Sequence, residues 1–415
     1  MPILQGLVQS KRILSLCTCR CVCKIIASQC KWPVISQRKQ SVLAHVREWS
    51  KQRSHRESRL YTVSFRNFNS SSQQTPFQRK IQIATYISCG IGACLLSAIG
   101  WRQYTRFTRK ARGAEAIRDQ AVTGRQIISY RYRGFIIPAF MVDNLDDLHR
   151  FQVREEDIWI VTFPKAGTTW LQEIVYLIAN DLDFEKARSK ILEERFPYLE
   201  FVNPGMKAIS KMESPRFIKT HLPPSLLPRE VHSKNPKLIY LARNPKDTVV
   251  SYYHFTKSLA TINYFGDFSV FFDQFLNDKA IYGPWWKHVK EGWNLRDKDN
   301  VLFLTYEDLH KDTRGCIRTV ANFLGKSLSD QQVETLARHV TFASMKVNPS
   351  VNYSWWAGWA VKEAHENQFF RKGIVGDWTS HLTPEMSRQI DDMVAEKLQG
   401  TQLVLEDMPL SRQAS

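Results

Sequence analysis

The sequence predicts an α/β fold in which a central parallel sheet is flanked by helices. Four short apolar runs have the composition of strands, and segments with a helical pattern separate them. The runs are Ile158–Phe163, Phe217–Lys219, Leu238–Ala242 and Val301–Leu304. Strands that alternate with helices indicate a parallel sheet, in which ligands bind beyond the carboxyl ends of the strands. The chain has 415 residues, which is enough to bury a sizeable core.

The first predicted strand leads into a turn with the composition of an anion-binding loop. The turn reads Pro164-Lys-Ala-Gly-Thr-Thr-Trp170, and an amphipathic helix pattern follows it over Leu171–Ile178. The amides at the start of a helix attract anions, so this order of elements indicates a site for a phosphate-like group. It is not a Walker A loop, because Lys165 precedes Gly167 and the first glycine is missing.

The positive charge of the chain is concentrated before residue 116. The formal net charge is +18, and residues 1–80 contain 15 Lys and Arg against two acidic residues. Residues 116–415 contain 38 basic and 37 acidic residues, so the predicted globular part is nearly neutral. A nucleic-acid-binding surface is therefore not indicated, and we expect no nucleic-acid partner.

The cysteines are distributed just as unevenly. Cys316 is the single cysteine of the globular part, so no disulfide can form within it, which suits a reducing compartment. Residues 17–30 hold five cysteines, which could be lipidated, bind a metal or stay unpaired in a disordered arm. No histidine lies nearby and the spacing matches no zinc module, so unpaired thiols are the favoured interpretation.

Residues 81–101 form an uncharged stretch that is long enough to cross a bilayer. Basic residues bracket it, and Trp101 and Tyr104 lie where interfacial aromatic residues are common. A transmembrane helix is the favoured interpretation. A buried helix is the alternative, because polar residues and three glycines weaken the hydropathy. Basic flanks on both sides leave the orientation open.

These patterns divide the chain into five parts. Residues 1–80 are expected to be a disordered arm or a targeting segment, such as a mitochondrial transit peptide. A transmembrane helix over 81–101 and a basic linker over 102–124 precede a globular domain over 125–400 and a tail over 401–415. We expect a single-pass membrane protein whose globular domain faces the cytoplasm. A mitochondrial membrane or a soluble cytoplasmic protein are the alternatives.

Four further segments complete a pattern that resembles a known family. They are Arg216–Pro223, Leu238–Phe255, Val301–Asp308 and Phe369–Trp378. In this order, and together with the loop at Lys165, they are similar to the cytosolic-type sulfotransferases over residues 125–400. The resemblance implies a single P-loop-like sulfotransferase domain that uses 3′-phosphoadenosine 5′-phosphosulfate (PAPS) and no metal. It also implies transfer of a sulfuryl group to the hydroxyl of a small apolar acceptor, such as a phenol, a steroid or an alcohol.

The resemblance assigns the binding residues for PAPS. The 5′-phosphosulfate loop corresponds to Lys165, Ala166, Gly167, Thr168, Thr169 and Trp170. The 3′-phosphate site corresponds to Arg243, Ser251, Arg371, Lys372 and Gly373. Positions around the adenosine correspond to Tyr306, Thr341, Phe342 and Met345. Arginine suits such a site because its planar fork can bind a phosphate through two hydrogen bonds.

Three residues are expected to carry the chemistry. His221 is the candidate general base, because imidazole titrates near neutral pH and can take the proton of an acceptor hydroxyl. Lys165 is expected to stabilise the leaving oxygen, and Lys219 to hold the sulfuryl oxygens. Simpler interpretations exist for two neighbours: Arg243 could pair with Asp247, and His254 could line the acceptor pocket or pack.

One segment departs from the family pattern. Family members commonly dimerise through a motif of lysine, three residues, threonine-valine, three residues and glutamate. The stretch Thr379–Arg388 keeps Thr383 of this motif, but Thr379, Pro384 and Arg388 replace the lysine, the valine and the glutamate. The usual dimer is therefore in doubt.

Three other functions are weighed against this one. A catalytically idle relative that binds a nucleotide or a partner at a membrane is disfavoured, because the basic residues and the histidine are retained together. A P-loop kinase is disfavoured by the missing Walker A order. Luminal carbohydrate sulfation is disfavoured by the lone Cys316, although glycosylation of Asn352-Tyr-Ser354 would favour it.

Overall fold

The computed structural model describes residues 100–101, 103–117, 129–201, 205–260, 264, 266–357 and 369–405. The chain divides into two units, Met1–Thr108 and Arg109–Ser415. The described residues of the first unit, 100–101 and 103–108, are helical. The predicted disordered arm and residues 81–99 of the predicted transmembrane helix lie outside the described residues. No helix of the described part is long and apolar enough to cross a membrane.

The second unit begins with a small antiparallel sheet. Its strands are β1 (Glu115–Ala116), β2 (Ser129–Tyr132) and β3 (Phe135–Pro138), in the order β1-β2-β3. The two-residue turn between β2 and β3 has φ values of 51° at Arg133 and 82° at Gly134. Positive φ at both positions is the geometry of a type I′ turn, whose twist matches that of the strands it joins.

A four-stranded parallel sheet forms the centre of this unit, as the sequence predicts. Its strands are β4 (Ile158–Thr162), β5 (Phe217–Thr220), β6 (Lys237–Ala242) and β7 (Val301–Thr305), in the order β5-β4-β6-β7. Ile158 pairs with Phe217 on one side and with Lys237 on the other, and Leu238 pairs with Val301. All pairs are parallel, so the carboxyl ends of the four strands lie along one edge.

Helices connect and flank the strands. They are α1 (Ala139–His149), α2 (Thr168–Ala179), α3 (Phe184–Arg188), α4 (Leu192–Arg195), α5 (Gly205–Ile209), α6 (Val231–Lys234), α7 (Pro245–Ser258), α8 (Phe268–Leu276), α9 (Trp285–Trp293), α10 (Tyr306–Lys311), α11 (Thr313–Leu324), α12 (Asp330–His339), α13 (Phe342–Val347) and α14 (Pro384–Lys397). Short 3-10 turns occur at Pro224–Leu226, Ser354–Trp356 and Asp377–Ser380.

The parallel sheet is covered on both faces, which explains why its strands are apolar throughout. Side chains alternate between the faces of a strand, so Trp159 and Val161 enter one hydrophobic cluster while Ile158 and Ile160 enter the other. Helices α1, α7, α8, α9 and α14 cover the first face, and α2, α11 and α12 cover the second. Two-sided burial is typical of parallel sheets and yields continuous apolar runs.

Candidate active site

The residues predicted to act lie where the parallel strands end. Strand β4 runs into the loop that precedes α2, β5 into His221, β6 into Arg243 and β7 into Tyr306. Because these ends share one edge of the sheet, segments far apart in the sequence meet at one place, where parallel sheets bind their ligands.

The loop between β4 and α2 contains two residues with a positive φ. Lys165 has a φ of 70°, and Gly167 has a φ of 100°. A Cβ atom at Gly167 would lie 2.6 Å from a ring carbon of Tyr306, so a larger residue does not fit there. The 12-residue helix α2 begins directly after this glycine. The helix start and the loop therefore form a cradle for an anion.

The other loop residues anchor this cradle. Ala166 is 1% exposed, and Thr168 and Thr169 are buried at the start of α2. The Thr168 hydroxyl lies 2.8 Å from the Thr162 hydroxyl at the end of β4. Trp170 packs edge-on against Tyr306, with 5.7 Å between the ring centroids.

The imidazole of His221 is held in one orientation. Its Nδ1 atom lies 2.9 Å from the Thr162 carbonyl oxygen and 3.0 Å from the Thr162 hydroxyl. A carbonyl oxygen can only accept, so Nδ1 carries the proton and Nε2 keeps a free lone pair. Burial, reinforced by the charge of Lys219, lowers the pKa of His221 to about 3. The ring is therefore neutral at pH 7 with an unprotonated Nε2, and it is a weaker base than the imidazole titrating near neutral pH that the sequence predicts.

A buried carboxyl group fixes the main chain of His221. Glu200 is 4% exposed, and its Oε1 accepts a hydrogen bond of 2.7 Å from the His221 backbone N–H. Burial raises the pKa of Glu200 to about 7. The sequence pattern did not single out Glu200. Its signal was an acidic residue inside an otherwise apolar stretch, Phe196-Pro-Tyr-Leu-Glu-Phe201.

Lys165 and Lys219, which together with His221 are called here the Lys–His cluster, contact aromatic rings and a hydroxyl group. The Lys165 ammonium lies 4.4 Å from the Phe255 ring and 4.5 Å from the Phe369 ring, and Lys219 donates to the Tyr353 hydroxyl at 2.9 Å. Neither lysine forms an ion pair with a carboxylate of the described residues. Burial, together with the charges of Arg243, Arg371 and Lys219, lowers the pKa of Lys165 to about 7.

Arg243, Arg371 and Lys372, called here the arginine cluster, are paired with two aspartates. Arg371 and Lys372 both form ion pairs with the buried Asp377, and Arg243 lies 3.5 Å from Asp247. The predicted pairing of Arg243 with Asp247 is therefore present. Arg243 also donates to the Lys165 carbonyl at 3.2 Å, so the pairing does not remove it from the site.

Asp247 also organises the loop that carries the other two cations. Its carboxylate accepts hydrogen bonds from the backbone N–H groups of Gly376 at 2.9 Å and Trp378 at 3.0 Å. Arg243 reaches the same loop by donating to the Ile374 carbonyl at 3.0 Å. The loop after Lys372 is thus tied to the start of α7, which brings the three cations together.

The remaining predicted PAPS residues are placed as follows. Ser251 is half-buried on α7, one turn before Phe255, whose ring contacts Lys165. The ring of Phe342 lies against Gly373, whose φ is 67°, and Thr341 caps α13. Met345 is 1% exposed and packs in the hydrophobic cluster on the second face of the sheet. Its side chain therefore offers almost no surface to a ligand.

Aromatic side chains surround the Lys–His cluster. The Tyr198 and Tyr282 rings lie 5.2 Å and 5.6 Å from the His221 ring, and their hydroxyls are 2.7 Å apart. Phe201, Phe255 and Phe369 pack with Tyr353 and Trp356 in a separate aromatic cluster. His254 belongs to neither of these two aromatic groups. Its ring packs against the His381 ring, with 5.3 Å between the ring centroids. An apolar ligand beside His221 would meet aromatic surface.

Comparisons with known proteins agree with this geometry. The sulfotransferase domain family matches residues 155–402. The chain belongs to the sulfotransferase family. It is 36% identical to human Sulfotransferase 1C2 over 284 residues, which cover 68% of this chain and 96% of that protein. It is 45% identical to mouse Sulfotransferase 4A1 over 210 residues, or 51% of this chain and 74% of that protein.

A solved structure shares the fold. Retinol dehydratase in a complex with retinol and PAP matches with a TM-score of 0.64 and 28% identity, over 70% of this chain and 98% of that chain. The predicted α/β sulfotransferase fold with a central parallel sheet is therefore confirmed. No group of three or more His, Cys, Asp or Glu side chains among the described residues is placed to hold a metal ion.

Proposed function

We propose that this sulfotransferase transfers a sulfuryl group from PAPS to the hydroxyl of a small apolar acceptor, a phenol, a steroid or an alcohol. The observation that carries the proposal is the state of His221. Its Nδ1–H is engaged by the Thr162 carbonyl, its ring is neutral, and the charges of Lys219 and Lys165, which have no carboxylate partner among the described residues, act on it. Such a group suits proton abstraction at a site where negative charge develops.

The residues divide the work of binding and transfer. The loop amides and Lys165 bind the 5′ end of PAPS, and the arginine cluster with Ser251 and Gly373 binds its 3′-phosphate. Nε2 of His221 accepts the hydroxyl proton while the hydroxyl oxygen bonds to sulfur and the bond from sulfur to the bridging phosphate oxygen breaks. Lys165 stabilises the leaving oxygen, and Lys219 holds the sulfuryl oxygens.

The charges of the site are complementary to those of the donor. PAPS carries negative charge at both ends, and the protein offers two groups of cations, one at the loop before α2 and one at Arg243 and the loop of Arg371. The half-buried rings of Trp170, which packs against Tyr306, and of Phe342 offer flat surface to an adenine. The matched retinol dehydratase is described with retinol and PAP, which favours a small apolar acceptor here as well.

The test uses the full chain, labelled PAPS and a panel of phenols, steroids and alkyl alcohols, with His221→Ala beside it. We expect transfer to fall by about 10²–10⁴-fold in the variant, while the desulfated product PAP still binds. His232→Ala, at an exposed histidine on α6, is the matched control and should transfer normally.

Two outcomes would contradict the proposal. Binding of PAP without transfer to any acceptor would favour the catalytically idle relative, and failure to bind PAP would remove PAPS as donor. Membrane attachment through residues 81–101, with the catalytic domain facing the cytoplasm, stays a separate proposal. Carbonate extraction and protease protection of the full chain test it.

A further inference from the structure

A second histidine contacts the main chain of His221. His288, on α9, is completely buried, and its Nε2 lies 3.1 Å from the His221 carbonyl oxygen. The carbonyl can only accept, so Nε2 of His288 carries a proton and donates it. Burial lowers the pKa of His288 to about 4, so the ring is neutral at pH 7 and its Nδ1 has no proton.

Tyr240 supports this orientation of His288. Its hydroxyl lies 2.6 Å from Nδ1 of His288 and 3.0 Å from the His288 carbonyl oxygen. Because Nδ1 has no proton and the carbonyl can only accept, the tyrosine hydroxyl is the donor to both, with the shorter contact to Nδ1. Phe135 and Phe163 pack edge-on against the His288 ring, at 6.5 Å and 5.6 Å between centroids. Within this apolar setting, one tautomer satisfies both ring nitrogens.

His221 is consequently held at three points by three parts of the chain. Glu200 binds its backbone N–H, Thr162 binds its ring, and His288 binds its carbonyl. The first two contacts come from a loop and from β4, and the third from α9. Removing the His288 contact leaves the carbonyl without that donor and frees one side of the His221 peptide.

We infer that His288, oriented by Tyr240, is a positioning residue that fixes the main chain of His221 so that Nε2 faces the acceptor hydroxyl. The inference rests on the proposed function, in which His221 is the base. It assigns His288 an effect on proton abstraction and none on donor binding, because the contacts of its ring described above are with His221, Tyr240, Phe135 and Phe163, none of which is assigned to the binding of PAPS.

Variants of the full chain separate positioning from packing. His288→Leu removes the donor, and His288→Gln keeps an amide N–H that can reach the His221 carbonyl. We expect His288→Leu to lower kcat by roughly tenfold or more, because a small displacement of a base is costly, with an unchanged affinity for PAP. His288→Gln should recover most of this loss.

The acidity of the acceptor supplies a second readout. A phenol that is already ionised at the assay pH, such as 4-nitrophenol in alkaline buffer, needs no base, whereas a weakly acidic phenol does. The kcat deficit of His288→Leu should therefore shrink with the acidic phenol. Tyr240→Phe removes the hydroxyl without changing the core volume much, and should give a smaller deficit of the same kind.

A control and a reference keep the test decisive. Asn300→Leu removes another side-chain hydrogen bond to a carbonyl, the one from its Nδ2 to the Pro236 carbonyl at 2.8 Å. This residue directly precedes β7, and the variant should leave kcat unchanged.

If His288→Leu does not bind PAP, His288→Gln and Tyr240→Phe carry the test. Equal losses in Leu and Gln variants, or a deficit that is the same for every phenol, would overturn the inference. His221→Ala run on the same phenols reports separately on the base: a fully active His221→Ala would refute the role of His221 as base, and no transfer by the unsubstituted chain would refute the proposed function itself.

Discussion

The Lys–His cluster and the arginine cluster are built from the same kind of charge but hold it differently. In the Lys–His cluster, Lys165 contacts aromatic rings and Lys219 contacts a tyrosine hydroxyl. In the arginine cluster, Asp377 pairs with Arg371 and Lys372, and Asp247 pairs with Arg243. Among the described residues, the lysines of the first cluster have no carboxylate partner, whereas the cations of the second are paired with aspartates.

The difference corresponds to what each cluster has to stabilise. Open charge in a dry site acts most strongly on charge that develops during a reaction, and it costs little further reorganisation. Its cost appears in the free protein as the lowered pKa of Lys165. In the arginine cluster, a bound phosphate replaces part of the interaction between the cations and their aspartates. Binding a phosphate there therefore strips less water from unpaired cations. We therefore expect kcat to depend on the first cluster and donor affinity on the second.

The largest effect is expected from Lys219→Met. In the proposed mechanism the variant removes the ammonium that holds the sulfuryl oxygens, so kcat should fall by about 10²–10³-fold, with little change in the affinity for PAP. Steady-state kinetics and PAP titration measure the two quantities. Lys237→Met, which loses a contact with the Phe323 carbonyl at the start of β6, is the matched control. A loss of PAP affinity as large as the loss of kcat would break the comparison.

The converse is expected from Arg243→Met. Arg243 is 8% exposed and belongs to the arginine cluster, so its loss should weaken PAP binding by roughly 10–100-fold, the scale of a charge-assisted hydrogen-bond pair. At saturating PAPS, kcat should change by only a few-fold. Isothermal titration with PAP and kcat at saturation check this, and a variant whose kcat falls while its PAP affinity stays normal would contradict it.

Features of the structure that depend on neighbouring residues are predicted from the sequence more accurately than features that depend on residues far apart in the chain. The apolar runs predicted β4 as Ile158–Phe163 and β6 as Leu238–Ala242, and each observed strand differs by one residue. Burial on both faces explains this accuracy, because a strand that is covered on both sides consists of consecutive apolar residues, which can be recognised in the sequence. The pairing of β1 with β2 was not predicted, since β1 has two exposed residues and no apolar run.

The sequence predicted which motif residues belong to the site, but it did not predict the contacts that hold them in place. The motif around Lys219 and His221 follows β5 as expected, and local order alone places it there. Glu200 and His288 were missed because each acts on the His221 backbone across a long sequence separation, with Glu200 about 20 residues before it and His288 about 70 after it. A main-chain partner leaves no complementary side chain for a pattern to reveal. For Glu200 the remaining signal is an acidic residue within an apolar stretch, whereas His288 lies in a polar helix segment, between Lys287 and Lys290, and has no such signal.

The smallest effect, and the sharpest test of open charge, concerns pH. The pKa of Lys165 in the free protein is about 7. Above pH 7 the lysine is mostly neutral, so binding the anionic donor requires uptake of a proton. We therefore expect kcat/KM for PAPS to fall with rising pH, by at most tenfold per pH unit, between pH 7 and 9. His221, whose pKa is about 3, should cause no loss between pH 7 and 5.

Lys165→Arg decides whether Lys165 is the group responsible. Arginine stays charged throughout this range, so the variant should lose the alkaline decline even if its rate is lower. Glu200 and Glu307 also have pKa values raised to about 7 by burial, and both gain negative charge as the pH rises, which would weaken donor binding in the same direction. The direction of the pH profile alone cannot distinguish the three groups. A decline that persists in Lys165→Arg would assign it to the carboxyl groups, and the open charge of the Lys–His cluster would then have no measurable cost in the free protein.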